Sequence, residues 1–589
     1  KIELATILAS DDPLAMLKEF PLVLLAETLI DDVAEWHLRS YVVGGGKLIA
    51  MRPDPRIADV FGLSFVGEQV EDPKSPLQFI SLDPAIDAAA GLTPGPILFH
   101  GAIDRYDVVP GADVTIVASL MDNLTVTSPN PAVTSSPFGA GWAAAFTFDL
   151  ARSVVLARQG NPEWKNSEGD GARVTPATLG VQSNTNDQFR PMDMFCRIDG
   201  RTWFEATRLR VPHADELQRL LANLIMQSAP PMPRMWYLPS GARSLIVNTG
   251  DGESYSQSEM QLPIEASQVH GGRFTTYLRR LQIPSHLSTD QERRWREAGH
   301  EFGVHVYADP FGDAVSTQTA RQLQLSYTEI TAALANNYLH GARTARNHTI
   351  EWVGWVEMAR IESEHGTGLD LNYYHYYEFA SKAAFPALGF PTNKTGAGGY
   401  FTGSGLAQRF CDETGTLLPI YQLLTEFPDE FFYNNGFAGT EPFDLVIKPM
   451  MDAAAAGYYS AFVINVHHGP YSMVGTIFHS EPWVHKLWDH AQANAIPMWT
   501  AERLLSFVEA RNAVVFSDVT WTDGVLRFRF TTSECGQDLV VMLPGDSLSE
   551  VHVDGIPVAW SAETLMGRPY GLVTMTEATA SVVAVYSGP

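Results

Sequence analysis

The chain has 589 residues, of which 45% are hydrophobic, and its formal net charge is −27 at pH 7. This length exceeds one hydrophobic core, and the composition is that of a folded protein, which excludes wholesale disorder. The acidic balance argues against nucleic-acid partners, because nucleic-acid surfaces need clustered Lys and Arg. No apolar run reaches the roughly 18 residues of a membrane span, so we expect none.

The cysteines predict no covalent or metal framework. Cys196, Cys411 and Cys535 lie far apart, are odd in number and show no CxxC spacing. A disulfide framework or a thiolate zinc site is therefore not expected.

Residues 1–165 predict an α/β domain. Residues 21–26 have an apolar strand pattern, residues 31–42 a helix pattern, and residues 44–51 a glycine turn that leads into a buried strand. Strands that alternate with helices imply a parallel sheet. The run YVVGGGKLIAMRPD resembles the flavodoxin-like domain of the class I glutamine amidotransferase-like family. No cysteine precedes Cys196, so the Cys-His pair for amidotransfer is missing, and we expect a structural or ligand-binding domain.

Residues 166–240 predict a connecting region, and residues 513–589 predict a C-terminal β-sandwich. A helix pattern covers residues 214–227, and the proline cluster at 230–233 is a helix breaker that indicates a domain boundary. From residue 513 onward, short alternating runs are split by Gly, Asp and Pro. This pattern is typical of antiparallel sheets.

Acidic and imidazole side chains follow apolar runs in the middle of the chain. Residues 244–249 are apolar, and Asp251 and Glu253 come directly after them. Barrel enzymes present catalytic groups at the C-terminal ends of buried strands in this way. The runs RFTTYL and GHEFGVHVYADP follow in that order, and the second carries His305 and Asp309.

The segments NTGDGE, RFTTYL and GHEFGVHVYADP resemble, in order and separation, the polysaccharide deacetylase (NodB-homology) family over residues 241–512. The resemblance implies a distorted (β/α) barrel and a divalent metal ion, held by one Asp and two His, that polarises an acetamide carbonyl and activates water. It implies that Asp251 is the catalytic base and that His305 binds the metal. Asp309 stands where the family has its second metal-binding His, and Gly252 where it has a second Asp.

Two interpretations of the first motif follow from Gly252. In the first, Glu253 supplies the missing metal-binding acid beside His305 and Asp309, an assignment that rests on its position and not on the family motif. In the second, Asp251 itself binds the metal and the site has no base. Carboxylate oxygens are acceptable zinc ligands, so Asp309 can still bind. Zinc is the expected metal, with cobalt or nickel as alternatives.

Further family positions lie on later segments. Members carry an Arg that contacts the catalytic base, and Arg346 occupies this place, with Arg343 as a rival. His348, close behind it, is a substrate contact or a third metal ligand. The family also has an Asp that orients its catalytic His, and Asp370 fits by position. Asn372, on the same predicted strand, is assigned to substrate.

The apolar run at residues 460–466 ends in His467 and His468. The family's fifth motif ends in a His that protonates the leaving amine, and His467 matches it. His468 is the rival, and its side chain would point to the opposite face of a strand. Tyr421 has two equal interpretations, a substrate contact or a structural residue.

Together these patterns predict an α/β multidomain protein that removes N-acetyl or O-acetyl groups from a polysaccharide with a divalent metal. Gly252 and Asp309 favour one alternative, a non-catalytic carbohydrate-binding protein on a degenerate deacetylase scaffold. A second alternative is a glycoside hydrolase that works with two carboxylates. With an acetylated polysaccharide as its partner, the protein is expected to be secreted or at the cell surface.

Overall fold

The computed structural model describes residues 3–69, 77–167, 169, 189–197, 200–253, 255–279, 288–306, 317–336, 342–375, 398–474, 479–533 and 538–587. The N-terminal elements are α1 (Leu4–Leu8), α2 (Pro13–Lys18), β1 (Val23–Leu25), α3 (Asp32–Val43), β2 (Lys47–Met51), β3 (Leu63–Gln69), β4 (Gln78–Leu82), β5 (Ile97–Phe99), β6 (Ile103–Val108), β7 (Thr115–Asn123), β8 (Val126–Phe138), β9 (Gly141–Phe146) and α4 (Leu150–Gln159).

The N-terminal sheet is mixed and has the order β1-β2-β9-β8-β7-β4-β5. Pairing is parallel only between β1, β2 and β9, and it is antiparallel across the other strands. The flavodoxin-like, all-parallel sheet expected here is therefore wrong. The physical reason is the length of the connections, because β7, β8 and β9 are joined by two-residue turns, and a parallel pair needs a crossover of a dozen or so residues.

The predicted connecting region contains α5 (His213–Ser228), which packs on the N-terminal sheet, and β10 (Arg234–Met235). Helix α5 also holds the barrel through buried polar groups. Asp215 accepts hydrogen bonds from the Ser404 hydroxyl at 2.8 Å and from the Gly405 amide at 3.0 Å. This helix is thus part of a packed interface and not a linker.

The central elements were predicted as a barrel. They are β11 (Ser244–Glu253), α6 (Gln257–Val269), β12 (Thr275–Leu278), α7 (Thr289–Glu297), β13 (Glu301–Val304), α8 (Thr317–Asn336), β14 (Thr344–Ala345), α9 (Glu357–Glu364), β15 (Leu369–Asp370), β16 (Gln408–Cys411), β17 (Leu417–Gln422), β18 (Phe427–Pro428), α10 (Asp429–Asn434), α11 (Lys448–Ala453), β19 (Ser460–His467), α12 (Glu481–Ala493), β20 (Met498–Trp499) and α13 (Ala501–Asn512). Short π-helical turns, Phe443–Ile447 and Ala454–Tyr458, flank α11.

The central sheet curls round on itself. Its order is β17-β15-β14-β13-β12-β11-β19-β18, all in parallel, with β16 antiparallel to β17 and β20 beside the start of β11. Strands β17 and β18 lie at opposite ends of this order, yet only residues 423–426 separate them. This short connection holds the two ends of the sheet near each other, and the sheet forms an irregular barrel without pairing between β17 and β18 among the described residues.

Alternate residues of β11 enter two different cores, as expected of a strand that is buried on both faces. Ile246 packs with the surrounding helices, whereas Leu245 and Val247 share a core with α13 and the C-terminal sheets. The C-terminal sheets therefore cover one end of the barrel, and the carboxyl ends of its strands lie at the other.

The C-terminal strands are β21 (Val515–Thr522), β22 (Val525–Thr531), β23 (Leu539–Pro544), β24 (Leu548–Val553), β25 (Ile556–Pro557), β26 (Ser561–Leu565), β27 (Arg568–Met575) and β28 (Thr579–Tyr586). They form two antiparallel sheets, β10-β23-β27-β26 and β21-β22-β28-β24-β25. Strand β10 belongs to the first of them, with Arg234 paired to Met542. The C-terminal unit therefore includes more than the residues after 513. Strand β10, which precedes the barrel in the chain, forms part of one of its two sheets.

Candidate functional site

Charged side chains meet at the carboxyl ends of β11 and β19. Asp251 and His467 are direct neighbours in the parallel register of these two strands. Both are buried, with relative exposures of 4% and 7%. The apolar run of each strand fixes it in the barrel wall and brings its polar end to the site, as the sequence predicted.

Arg346 lies beneath Asp251 and is fully buried. Its Nη1 donates to Asp251 Oδ1 at 3.2 Å and to Asn465 Oδ1 at 2.6 Å, and its Nη2 donates to the Thr249 hydroxyl at 2.8 Å. The contact that the family resemblance implied for Arg346 is therefore present. The rival, Arg343, instead pairs with Glu509.

Asp251 is held as a carboxylate. Asn465 Nδ2 donates to Asp251 Oδ2 at 2.9 Å, so each oxygen of Asp251 accepts a hydrogen bond. Burial raises the pKa of Asp251, but Arg346 and the nearby histidines outweigh burial and lower this pKa below its ordinary value. Because both of its oxygens already accept hydrogen bonds from fixed donors, Asp251 is less well placed than a partly exposed carboxylate to take a proton from water.

His467 is surrounded by carboxylates. Its Nδ1 lies 2.9 Å from Asp429 Oδ1, and its Nε2 lies 3.3 Å from Glu430 Oε1 and 3.5 Å from Glu253 Oε1. Burial lowers the pKa of His467, but Asp429 and Glu430 override burial and hold this pKa well above its ordinary value. The partner predicted to orient His467 was Asp370. The structure corrects this to Asp429, the first residue of α10.

His468 points away from this cluster. Its ring packs against Phe274, with the ring centroids 5.5 Å apart, and burial lowers its pKa to about 3. Gly250 leaves room for it, since a Cβ there would lie 3.0 Å from His468 Nε2. Of the two histidines, His467 is thus the one whose ring lies in the cluster of carboxylates.

Three buried side chains can hold a metal ion. Asp251, Glu430 and His467 each offer one ligand atom, and these atoms lie within 4.8 Å of one another. Two carboxylate oxygens and an imidazole nitrogen suit a divalent ion such as zinc. The donor set also has the usual supporting group, because a metal-binding His commonly donates its second N–H to a carboxylate, as His467 Nδ1 can to Asp429.

This group differs from the predicted set of Glu253, His305 and Asp309. Asp309 lies outside the described residues. His305 Nδ1 donates to the Arg346 carbonyl at 2.8 Å, which leaves Nε2 as the acceptor nitrogen, the form in which imidazole binds metals. His305 Nδ1 is 3.9 Å from Asp251 Oδ1. His305 is thus adjacent to the group and remains a candidate ligand.

Glu253 and His348 form the rim of the cluster. Their Oε1 and Nε2 atoms lie 3.7 Å apart, and 26% of the Glu253 side chain is exposed, against 6% for Asp251. Burial raises the pKa of Glu253, but His467 and His348 bring it down to about 2. Glu253 also has a φ of 41°, a left-handed conformation that is strained for a residue with a Cβ and is typical of functional sites.

Other predicted site residues lie elsewhere. Asn372 is fully buried in a hydrogen-bond network with Asp370 and Glu362, so its assignment to substrate is wrong. Tyr421 is buried in the core that the barrel shares with the C-terminal sheets, and its hydroxyl accepts from Asn512 Nδ2 at 3.1 Å. Of its two interpretations, the structural one holds.

Sequence reasoning missed Asp429, Glu430 and Asn465. The first two start a short helix immediately after β18, a strand of two residues that has no periodicity of its own. Asn465 is visible only as a polar residue within the apolar run of β19. A buried polar side chain near the end of a barrel strand was the available signal.

Within the described part of the chain, we find no helix that combines the length and the apolar character needed to cross a membrane.

Neither a family model nor a curated protein sequence matches this chain. Among solved structures, the carbohydrate deacetylase Agd3 aligns with 95% of this chain and 88% of its own, at 11% identity and a TM-score of 0.35. A β-galactosidase from Rahnella sp. R3 aligns with 22% of this chain at 14% identity and a TM-score of 0.19, and one from Bacillus circulans sp. alkalophilus with 24% at 13% identity and 0.20. The chain spans 20% and 21% of the lengths of these two enzymes. TM-scores in this range do not establish a shared fold.

Proposed function

We propose that this protein is a metal-dependent hydrolase that removes N-acetyl or O-acetyl groups from a polysaccharide, at the cell surface or outside the cell. The observation that carries the proposal is the buried group of Asp251, Glu430 and His467 at the carboxyl ends of barrel strands, with Asp429 behind His467. The acylated sugar as substrate rests on the resemblance of the three sequence motifs to the deacetylase family.

In this proposal Asp251, Glu430 and His467 hold the metal, and His305, whose ring lies beside Asp251, is a further candidate ligand. When bound, a divalent ion polarises the acyl carbonyl and makes water more acidic. Arg346 and Asn465 keep Asp251 ionised and fixed, and Asp429 fixes the ring of His467. These residues supply a rigid anionic pocket before any substrate arrives.

Glu253 is proposed as the residue that moves the proton. It has the most exposed carboxylate of the cluster, at 26% against 5% for Glu430 and 1% for Asp429. An ionised Glu253 accepts the proton of water as the water oxygen bonds to the acyl carbon. The same proton then passes to the leaving nitrogen or oxygen of the sugar as its bond to the acyl carbon breaks. In this proposal Glu253 takes both the base role that was expected of Asp251 and the acid role that was expected of His467.

Acetate release from a panel of acetylated glycans, with and without a chelator, tests the function. We expect release that the chelator abolishes and that zinc, cobalt or nickel restores. Glu253→Gln is expected to lower kcat by roughly 10²–10⁴-fold, the usual worth of a positioned proton acceptor, without changing metal content. Glu297→Gln, where the side chain is 70% exposed, is the matched control. Undiminished release in chelator would refute the metal-dependent mechanism.

A further inference from the structure

Two acidic side chains that the proposed mechanism does not use lie next to each other inside the barrel domain. Glu362 on α9 and Asp370 at the end of β15 are both fully buried. They pack behind the segment that carries Arg346. A lone ionised carboxylate in such a place is costly, and a pair of them repel each other as well.

One oxygen of each carboxyl accepts from the same amide group. Asn372 Nδ2 donates to Asp370 Oδ1 at 2.5 Å and to Glu362 Oε1 at 3.0 Å. The Asn372 backbone amide and the Tyr327 hydroxyl add further donors to these same two oxygens. The other two oxygens, Asp370 Oδ2 and Glu362 Oε2, are buried and have no donor among the residues that the structure describes.

Because both carboxyls accept from the same Asn372 nitrogen, they lie side by side, and burial together with the charge of Asp370 raises the pKa of Glu362. Two ionised carboxylates have only acceptor oxygens, so a hydrogen bond between them requires a proton. We propose that Asp370 Oδ2 and Glu362 Oε2 share one proton, and that this proton-sharing pair positions the Arg346 segment through Asn372. The positioning part rests on the proposed function of Arg346, whereas the shared proton does not.

Titratable and charged neighbours agree with a single negative charge on the pair. Burial raises the pKa of Asp370 to about 7, and burial with the Asp370 charge raises that of Glu362 well above its ordinary value. Among the described residues, the ionisable groups that face the pair from neighbouring elements are Tyr327, Tyr373 and the guanidinium of Arg346. Arg346 is the cation that attracts the remaining charge of Asp370.

A short chain of hydrogen bonds leads from the pair to the site. Asn372 Oδ1 accepts from the Asn347 backbone amide at 2.7 Å. The Tyr327 hydroxyl oxygen lies 2.9 Å from Asn347 Oδ1 and 3.1 Å from Glu362 Oε1, so its single proton is shared between these two acceptors. Asn347 follows Arg346, whose guanidinium holds Asp251. If the hydrogen bonds of the pair changed, the Asn372 side chain would rotate. Its hydrogen bond to the Asn347 backbone amide, which supports the segment that carries Arg346, would then change as well.

Amide substitutions test the shared proton directly. Glu362→Gln and Asp370→Asn each place one donor between the two outer oxygens and keep one negative charge, as the proton-sharing pair does. The double variant places two NH2 groups against each other and removes the charge. Glu364→Gln, exposed on the same helix, is the matched control.

Infrared difference spectra at about pH 8 measure the result without any dependence on activity. This pH lies above the raised pKa of Asp370, so one carboxyl of the pair is ionised there. Wild type minus either single variant should show the loss of one protonated carboxyl band per chain. Either single variant minus the double variant should show the loss of one ionised carboxylate band. The shared proton would be refuted if wild type minus a single variant showed the loss of an ionised carboxylate band. It would also be refuted if a single variant minus the double variant showed the loss of a protonated carboxyl band. Should one single variant not fold, the other still decides the first comparison.

Acetate release then tests positioning. Both single variants are expected to keep kcat close to that of wild type, and the double variant is expected to lose roughly 10–100-fold in kcat because Arg346 is displaced. An equal loss in a single variant would overturn positioning by the pair. Absence of acetate release in every protein, wild type included, would refute the proposed function and leave the infrared result standing.

Discussion

Asp429 holds His467 at two points. Its Oδ2 accepts from the His467 backbone amide at 2.7 Å, and its Oδ1 accepts from the imidazole Nδ1 at 2.9 Å. The Ser480 hydroxyl also donates to Oδ2, at 3.1 Å. Three donors therefore converge on one carboxylate, which sets both the position of the ring and its tautomer.

Replacing Asp429 with Asn should weaken metal binding. Asn has a single acceptor oxygen, so its NH2 group would face at least one of the donors that now point at the carboxylate. Loss of such a supporting carboxylate typically costs 10–100-fold in metal affinity, and we expect about that reduction by calorimetric zinc titration. Asp444→Asn, which alters an exposed ion pair with Lys486 and an exposed contact with the Thr440 hydroxyl, is the control. Unchanged zinc affinity in Asp429→Asn would contradict the support role.

The three proposed ligands should determine metal content. Asp251→Asn, Glu430→Gln and His467→Ala are each expected to remove most of one bound divalent ion per chain, because each deletes a donor from a three-donor group. Elemental analysis after zinc loading and desalting measures this. His552→Ala, remote on β24, is the control. Should His467→Ala keep its metal and lose only activity, His467 is the proton donor that the family resemblance implied and not a ligand.

Arg346→Lys should shift acid unfolding to higher pH. Arg346 depresses the folded-state pKa of Asp251, so the charge of Asp251 adds stability above the ordinary carboxyl pKa, and that stability is lost as pH falls through the lowered value. Lysine cannot reproduce the planar fork of donors, so the pKa of Asp251 rises towards its ordinary value. The charge of Asp251 then contributes less stability, and the acid midpoint moves to higher pH. Circular dichroism during acid titration follows the midpoint. Arg343→Lys, which alters the half-exposed pair with Glu509, should leave the unfolding midpoint unchanged. An equal shift of the midpoint in both variants would count against a specific role of Arg346.

Trp236→Ala should destabilise the barrel together with the C-terminal sheets. Trp236 is 1% exposed and donates to the Ala242 carbonyl at 2.8 Å, in the core that both units share. Removing a buried Trp costs about 3–5 kcal/mol, and chemical denaturation measures the loss. Trp36→Ala, at 59% exposure, is the control. A loss no greater than that of the control would mean that the two units do not depend on this shared core.

Local pattern alone determined the barrel strands that carry the site. Residues 244–249 and 460–466 were predicted from their apolar runs, and they form most of β11 and β19. The positions of Asp251 and His467 at the ends of these runs followed directly. A run of buried residues is readable without tertiary contacts, because hydrophobic burial acts on each residue separately.

Only the tertiary structure decided which groups meet. Asp429 comes 38 residues before His467, and neither spacing nor periodicity connects them. Asp370 matched a family position and yet faces Glu362, because the closing of the barrel sets which strand ends are neighbours. In the N-terminal sheet, the strands of residues 21–51 pair in parallel as expected, whereas two-residue turns impose antiparallel pairing on β7, β8 and β9. Which strands and side chains become neighbours depends on the lengths of the connections and on packing between segments that are distant in the chain. Neither of these produces a periodic pattern in the sequence.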